Sequence, residues 1–264
     1  MLNLRRVIDF LERYLLKHPF YVIVYGIGYF AKDFSFNVHF YSALELTEAL
    51  KAGKSLIRFG DGEINLMLDL RNHYHSFDPT LKKMMNCIVS NYSEQSSYIL
   101  SVPKFINMSN EELKRINRFN VWLPLKTMFL LRFPKNIAYM DAHNFYYDNY
   151  FETVIAPIFK EKKVVFITNK DTIQKQVHNQ HFLWPNAIMV EAPASDAIKQ
   201  YDDLTFKIDS VLKQLDSKET VLFFAFGPVG KYIQYIYAQK GYQSIDVGRA
   251  AEIMFTDDSI EHVI

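Results

Sequence analysis

The sequence predicts an α/β protein, a Rossmann-like and mostly parallel sheet with helices on both faces. Two continuous apolar runs, Lys163 to Thr168 and Val221 to Phe226, read as buried strands. Helical segments long enough to cross over a sheet alternate with them, which implies parallel pairing. Each strand ends in a polar or glycine-rich turn, and α/β folds place ligands at such carboxyl ends.

At 264 residues the chain can bury a sizeable core. It divides into an N-terminal extension, residues 1–40, and an α/β domain, residues 41–264. Lys and Arg number 30 against 29 Asp and Glu, so no whole-protein field attracts nucleic acid, and none is expected as a partner. The single cysteine, Cys87, forms no internal disulfide and suits a reducing cytosol. With 17 Tyr and 22 Phe the chain has aromatic rings for a core or for stacking surfaces.

From the start, Leu4, Val7, Ile8, Leu11, Tyr14 and Leu15 recur at helical spacing, with Arg5, Arg6, Arg13 and Lys17 elsewhere on the turn. This amphipathic basic helix is expected to pack on the domain or a second copy, or to touch an anionic membrane. The early charges do not form a cleavable leader. Pro19 to Ala31 is too short to span a bilayer, so a cytoplasmic protein, peripheral at the inner membrane face, is expected. Within that run, Gly26, Gly28 and Ala31 match G-x-G-x-x-G/A after a strand-like stretch. The acidic residues at the right distance, Glu45 and Glu48, fall in a helix from Ser42 to Ala52 rather than at a strand end. A strand or loop with packing glycines is therefore preferred to a nicotinamide site.

The most informative stretch is Ser55 to Glu63, S-L-I-R-F-G-D-G-E. A strand ends near Arg58, and Gly60 and Gly62 let the backbone turn sharply. In an extended segment Asp61 and Glu63 would project to one side, where a hard divalent cation bridges carboxylates and a diphosphate. Arg58 sets a planar cation beside them. A Gly-Asp-Gly turn also arises for backbone reasons alone, because Asp bonds its own main chain.

Helices are predicted at Ile64 to Leu70, at Asp78 to Ser90 with Asp78 as cap and Pro79 first, at Asn110 to Asn120, and at Val121 to Leu131. Strands are predicted at Tyr98 to Val102 and Ile137 to Met140. His73 and His75, with Asp69 nearby, have no third ligand at regular spacing, and the histidines read as solvated loop residues. Asp141, His143 and Asn144 follow a strand and are candidates for substrate contact.

Downstream, Thr168 is followed by Asn169 and a helix, Thr172 to Gln180. A strand at Ala187 to Glu191 leads into Ala194-Ser195-Asp196 and a long helix, Ile198 to Leu215. Gly227-Pro228-Val229-Gly230-Lys231 opens a helix through Lys240, a miniature phosphate cradle without Walker A spacing. Gln243 to Asp246 then runs into Val247-Gly248-Arg249-Ala250-Ala251-Glu252.

R-F-G-D-G-E, A-P-A-S-D-A-I-K-Q-Y-D-D-L, F-G-P-V-G-K and S-I-D-V-G-R-A-A-E occur in this order over roughly residues 41–255. Together they resemble the GT-D type of glycosyltransferase, a family once known only as a domain of unknown function. The resemblance implies a Rossmann-like nucleotide-binding fold, a UDP-sugar donor, and a D-x-E pair, here Asp61 and Glu63, holding Mn2+ or Mg2+. Ala194, Ser195 and Asp196 depart from the family pattern at a donor contact. Residues 1–40 have no counterpart.

On this reading Arg58, Gly60, Gly227, Gly230, Lys231 and Asn169 bind the donor. The first candidate base is Glu252 and the second Asp246. A glycan, glycoprotein or lipid-linked acceptor in surface polysaccharide or glycoprotein synthesis is expected. The competing expectations are an NAD(P)-dependent oxidoreductase using Gly26 and Gly28, and a non-catalytic protein that docks on a partner or membrane.

Overall fold

The structure, a computed structural model, describes residues 18–30, 37–70, 78–144, 150–177 and 184–248. Strands β1 (Ser55–Arg58), β2 (Tyr98–Val102), β3 (Met140–Asp141), β4 (Lys163–Thr168), β5 (Ile188–Glu191), β6 (Thr220–Ala225) and β7 (Gln243–Asp246) form one sheet. Its order is β3-β2-β1-β7-β6-β4-β5, and every pairing is parallel. The first strand therefore lies against the last, with Leu56 opposite Ile245.

Alternation along the strands builds a core on each face. Val164, Phe166, Val221 and Phe223 point to one side, with Leu46, Leu50, Phe151, Phe159 and Trp184. Val165, Ile167, Leu222 and Phe224 point to the other, with Leu204, Ile208, Val229 and Ile233. The expected two-sided architecture is present.

The helices are α1 (Pro19–Phe30), α2 (Ala43–Lys51), α3 (Asp61–Met67), α4 (Pro79–Ser90), α5 (Asn110–Arg115), α6 (Phe119–Arg132), α7 (Lys170–Val177), α8 (Tyr201–Leu212) and α9 (Gly227–Gln239). Ser42 caps α2 in a box closed by Glu45, and Asp78 caps α4 with Pro79 in its first turn, the latter as the sequence predicts. The expected basic helix of residues 1–17 lies outside the described residues, as do His73 and His75. No helix among the described residues is long and apolar enough to cross a membrane.

Four expectations are corrected. Pro19–Phe30 is a helix, not a strand or loop: an uncharged run of 12 residues satisfies helical length as well as strand composition. Gly28 is buried where α1 meets α6, and a Cβ there would lie 2.1 Å from Thr127 Oγ1. Gly26 and Gly28 thus serve no strand-to-helix nucleotide turn, and the nicotinamide reading falls with it. The segment expected as one helix from Asn110 to Asn120 breaks at Asn117, whose φ is +54°. Asparagine tolerates this left-handed conformation, so α5 ends and α6 begins afresh. Likewise the long helix from Ile198 resolves into a 3₁₀ turn, Ala197–Gln200, followed by α8. The fourth correction concerns the Asp61 turn itself.

Candidate active site

Asp61 and Glu63 do not lie on extended chain. They occupy the first turn of α3, where residues two apart leave the helix in different directions. The cause is local: Glu63 Oε2 curls back to accept the Gly60 N–H at 2.9 Å, satisfying a donor that the helix itself leaves open. That bend brings the Glu63 carboxylate to the end of α3 where Asp61 starts. Asp61 is exposed, and its Oδ1 accepts the Gly62 N–H at 2.9 Å.

Around this turn the structure collects charge from three strand ends. Arg58, the last residue of β1, is 7% exposed, and its Nη1 donates to Val247 O at 3.4 Å. Asp246, the last residue of β7, is 1% exposed and forms an ion pair with Lys231 of α9, itself 9% exposed. Among the described residues, Asp246 Oδ1 accepts no hydrogen bond. The expected second candidate base is thus closed off as a buried counter-ion in this conformation.

The electrostatics follow from burial. Desolvation pushes the Glu63 carboxyl above its ordinary value although part of the side chain stays open, and Asp246 adds to the rise. Lys231 and the Gly60 N–H offset only part of it. For Lys231 burial alone would favour the neutral amine, but Asp246 and Glu63 outweigh it and hold the ammonium above its ordinary value. Arg58 acts against that ammonium, so Arg58, Glu63, Lys231 and Asp246 form one interacting group.

Other predicted residues have more structural roles. Gly227 starts α9 with a φ of +31°, and its amide and that of Val229 belong to the open first turn. Gly230 is one step further, where a Cβ would lie 3.3 Å from the Phe226 ring, so its glycine admits that ring. Asn169 caps α7, accepting the Thr172 N–H at 3.0 Å. Asp141 Oδ1 accepts from the His143 and Lys104 backbone amides at 3.0 and 3.3 Å, beside His143 Nδ1 at 3.5 Å. His143 in turn lies against Phe105 and Trp122. Glu252 lies outside the described residues.

One residue was missed by sequence reasoning. Gly248 has a φ of +47°, and a Cβ on it would stand 2.7 Å from Arg58 Nη1 and 3.4 Å from Asp246 Oδ1. Its signal was the position two residues past a strand-ending acid.

The donor set suits a hard divalent cation: two carboxylates turned to one helix end, one desolvated and raised in pKa, which a cation would relieve. Among the described residues no group of three or more His, Cys, Asp or Glu side chains is assembled for a metal.

An all-parallel sheet with an acidic turn and two cations at its carboxyl edge places this charged group where α/β proteins bind their ligands. The family model described as "Glycosyltransferase GT-D fold" matches residues 56–253, and the chain belongs to this glycosyltransferase family. A selenomethionine-substituted structure of domain of unknown function 1792 superposes with a TM-score of 0.65 at 19% identity, covering 88% of this chain and 82% of that one. A structure described as a new glycosyltransferase of that domain from Streptococcus sanguinis gives a TM-score of 0.64 at 19% identity, over 81% of this chain and 82% of that one. A third, described as that domain's distinct glycosyltransferase fold, gives 0.63 at 20% identity, over 88% and 82%. These likenesses establish the fold. A search among curated proteins finds no match.

Proposed function

We propose that this glycosyltransferase moves a sugar from a UDP-sugar to a glycan, glycoprotein or lipid-linked acceptor with the help of Mn2+ or Mg2+. The observation that carries this reading is the Glu63 carboxylate bent back to Gly60, beside Asp61, Arg58 and Lys231. Asp61 and Glu63 would hold the cation, which supplies Lewis-acid neutralisation of the departing diphosphate.

The chain's own residues do the rest. Arg58 presents a planar fork to phosphate oxygens, and Asp246 keeps the Lys231 ammonium charged and fixed in place. The open amides of Gly227 and Val229, with the close approach allowed by Gly60, suit a diphosphate at the N-terminus of α9, while Gly230 seats Phe226 beneath that turn. Asn169 is proposed as an outer donor contact. Glu252 is proposed to take the proton of the acceptor hydroxyl, since Asp246 is committed to Lys231. The basic segment 1–17 would suit work at the inner membrane face in surface polysaccharide or glycoprotein synthesis.

Calorimetric titration of UDP with Mn2+, and then with chelator, tests the reading. Binding that needs the metal and disappears in Asp61→Asn supports it; equal binding with and without metal removes the cation from the proposal.

A further inference from the structure

A groove of about 470 Å³ lies between the first turns of α4 and the Ala197–Gln200 turn entering α8. Thr80, Met84, Ile198, Tyr201, Asp202 and Asp203 are among its lining residues. Its volume falls within the roughly 300–1,000 Å³ of small-ligand sites. The Ala197–Gln200 turn follows the carboxyl end of β5, so the groove opens on the edge that carries the charged group. The Ala197–Gln200 turn and Tyr201 pack on α9, the helix whose first turns carry Lys231. The Tyr201 ring centre is 6.3 Å from that of Tyr232, the residue after Lys231.

The lining selects a chemical class. Asp202 and Asp203 face only Lys199 among the lining bases, and Lys199 is engaged with Asp196 at 3.2 Å. Such a surface repels a diphosphate, whereas carboxylates, the Gln200 amide and the Thr80 hydroxyl can all accept or donate to the hydroxyls of a neutral sugar. Met84, Ile198 and the Tyr201 ring supply an apolar face of the kind that packs on pyranose C–H bonds. Burial, helped by Tyr232, Asp202 and Asp209, holds the Tyr201 phenol above its ordinary pKa, so it stays a neutral hydrogen-bonding group.

We propose that this groove is the acceptor subsite, holding the terminal pyranose of the acceptor glycan beside the donor phosphates. It rests on the glycosyl-transfer reading above and adds where the second substrate sits and that it is uncharged at this end.

The test is saturation-transfer NMR on the full chain with UDP and Mn2+, using as probes methyl pyranosides of glucose, galactose, mannose, rhamnose and N-acetylglucosamine. At least one should receive saturation. Its affinity should fall about tenfold in Tyr201→Ala, the loss of one aromatic face, and also in Thr80→Trp, which fills the groove from an exposed position. UDP affinity, followed by calorimetry, should stay within about twofold in both variants. No pyranoside binding in the wild type, or binding that survives both substitutions, overturns the proposal. So does a matching loss of UDP affinity, which would make the groove part of the donor site. Pyranoside binding without any UDP binding would instead refute the donor reading and leave the groove standing.

Discussion

Gly248 and Arg58 occupy each other's space: a methyl group on the glycine would stand 2.7 Å from the guanidinium Nη1. The glycine also holds a φ of +47°, a conformation that costs an L-residue about 1–2 kcal/mol. Gly248→Ala should therefore lose about that much stability in urea unfolding and displace Arg58 from the β1 edge. UDP affinity in Mn2+ should drop by about tenfold or more, as for a lost charge-assisted hydrogen bond. Unchanged UDP affinity would separate Arg58 from donor binding.

Lys231 and Asp246 are both buried, at 9% and 1% exposure, so breaking their pair strands a charge. Lys231→Met should destabilise by about 3–5 kcal/mol. The double variant Lys231→Met with Asp246→Leu should regain most of that stability in denaturant melts without regaining UDP binding. If binding returned with stability, Lys231 would be structural only.

The two glycines of α1 should respond oppositely. Gly26 has nothing within 4 Å of a new Cβ, so Gly26→Ala should stabilise the helix by about 0.5–1 kcal/mol. Gly28→Ala must push Thr127 and Leu123 aside and should destabilise by about 1–3 kcal/mol. Paired thermal melts decide it, and similar shifts in both would contradict the α1–α6 packing.

Burial by itself would raise the Asp141 carboxyl, but the His143 side chain and backbone, together with the Lys104 amide, bring it below its ordinary value. A lowered carboxyl contributes stability above its unfolded pKa, near 3.9, and loses it as pH falls through the folded value. The melting temperature should thus fall more steeply below about pH 4 in the wild type than in Asp141→Asn. Parallel acid limbs would show that this carboxyl is not held down in the folded state.

Much of this was legible in the residues. Lys163–Thr168 has the bounds the sequence indicates, because a continuous apolar run ended by a polar turn leaves little choice. The family likewise shows in the motifs around Arg58 and Lys231. The conformation of the Asp61 turn was not legible, since D-G-E serves extended chain and helix start equally, and only the Glu63 bond to Gly60 decides. Nor was the partner of Asp246, because its contact with Lys231 crosses from a strand end to a helix, and no spacing rule encodes it.

The pairing of β1 with β7 also governs when the enzyme comes into being. Arg58 and Val247 are hydrogen-bonded across a separation of 189 residues, so a chain leaving the ribosome makes one wall of the site first and waits for the other until β7 has emerged. Throughout that interval β1 presents an open edge at the middle of what will be the sheet, a template for the wrong strand. Products cut short before residue 246 would carry the acidic turn and Arg58 without the carbonyl that Arg58 bonds or the carboxylate that pairs with Lys231.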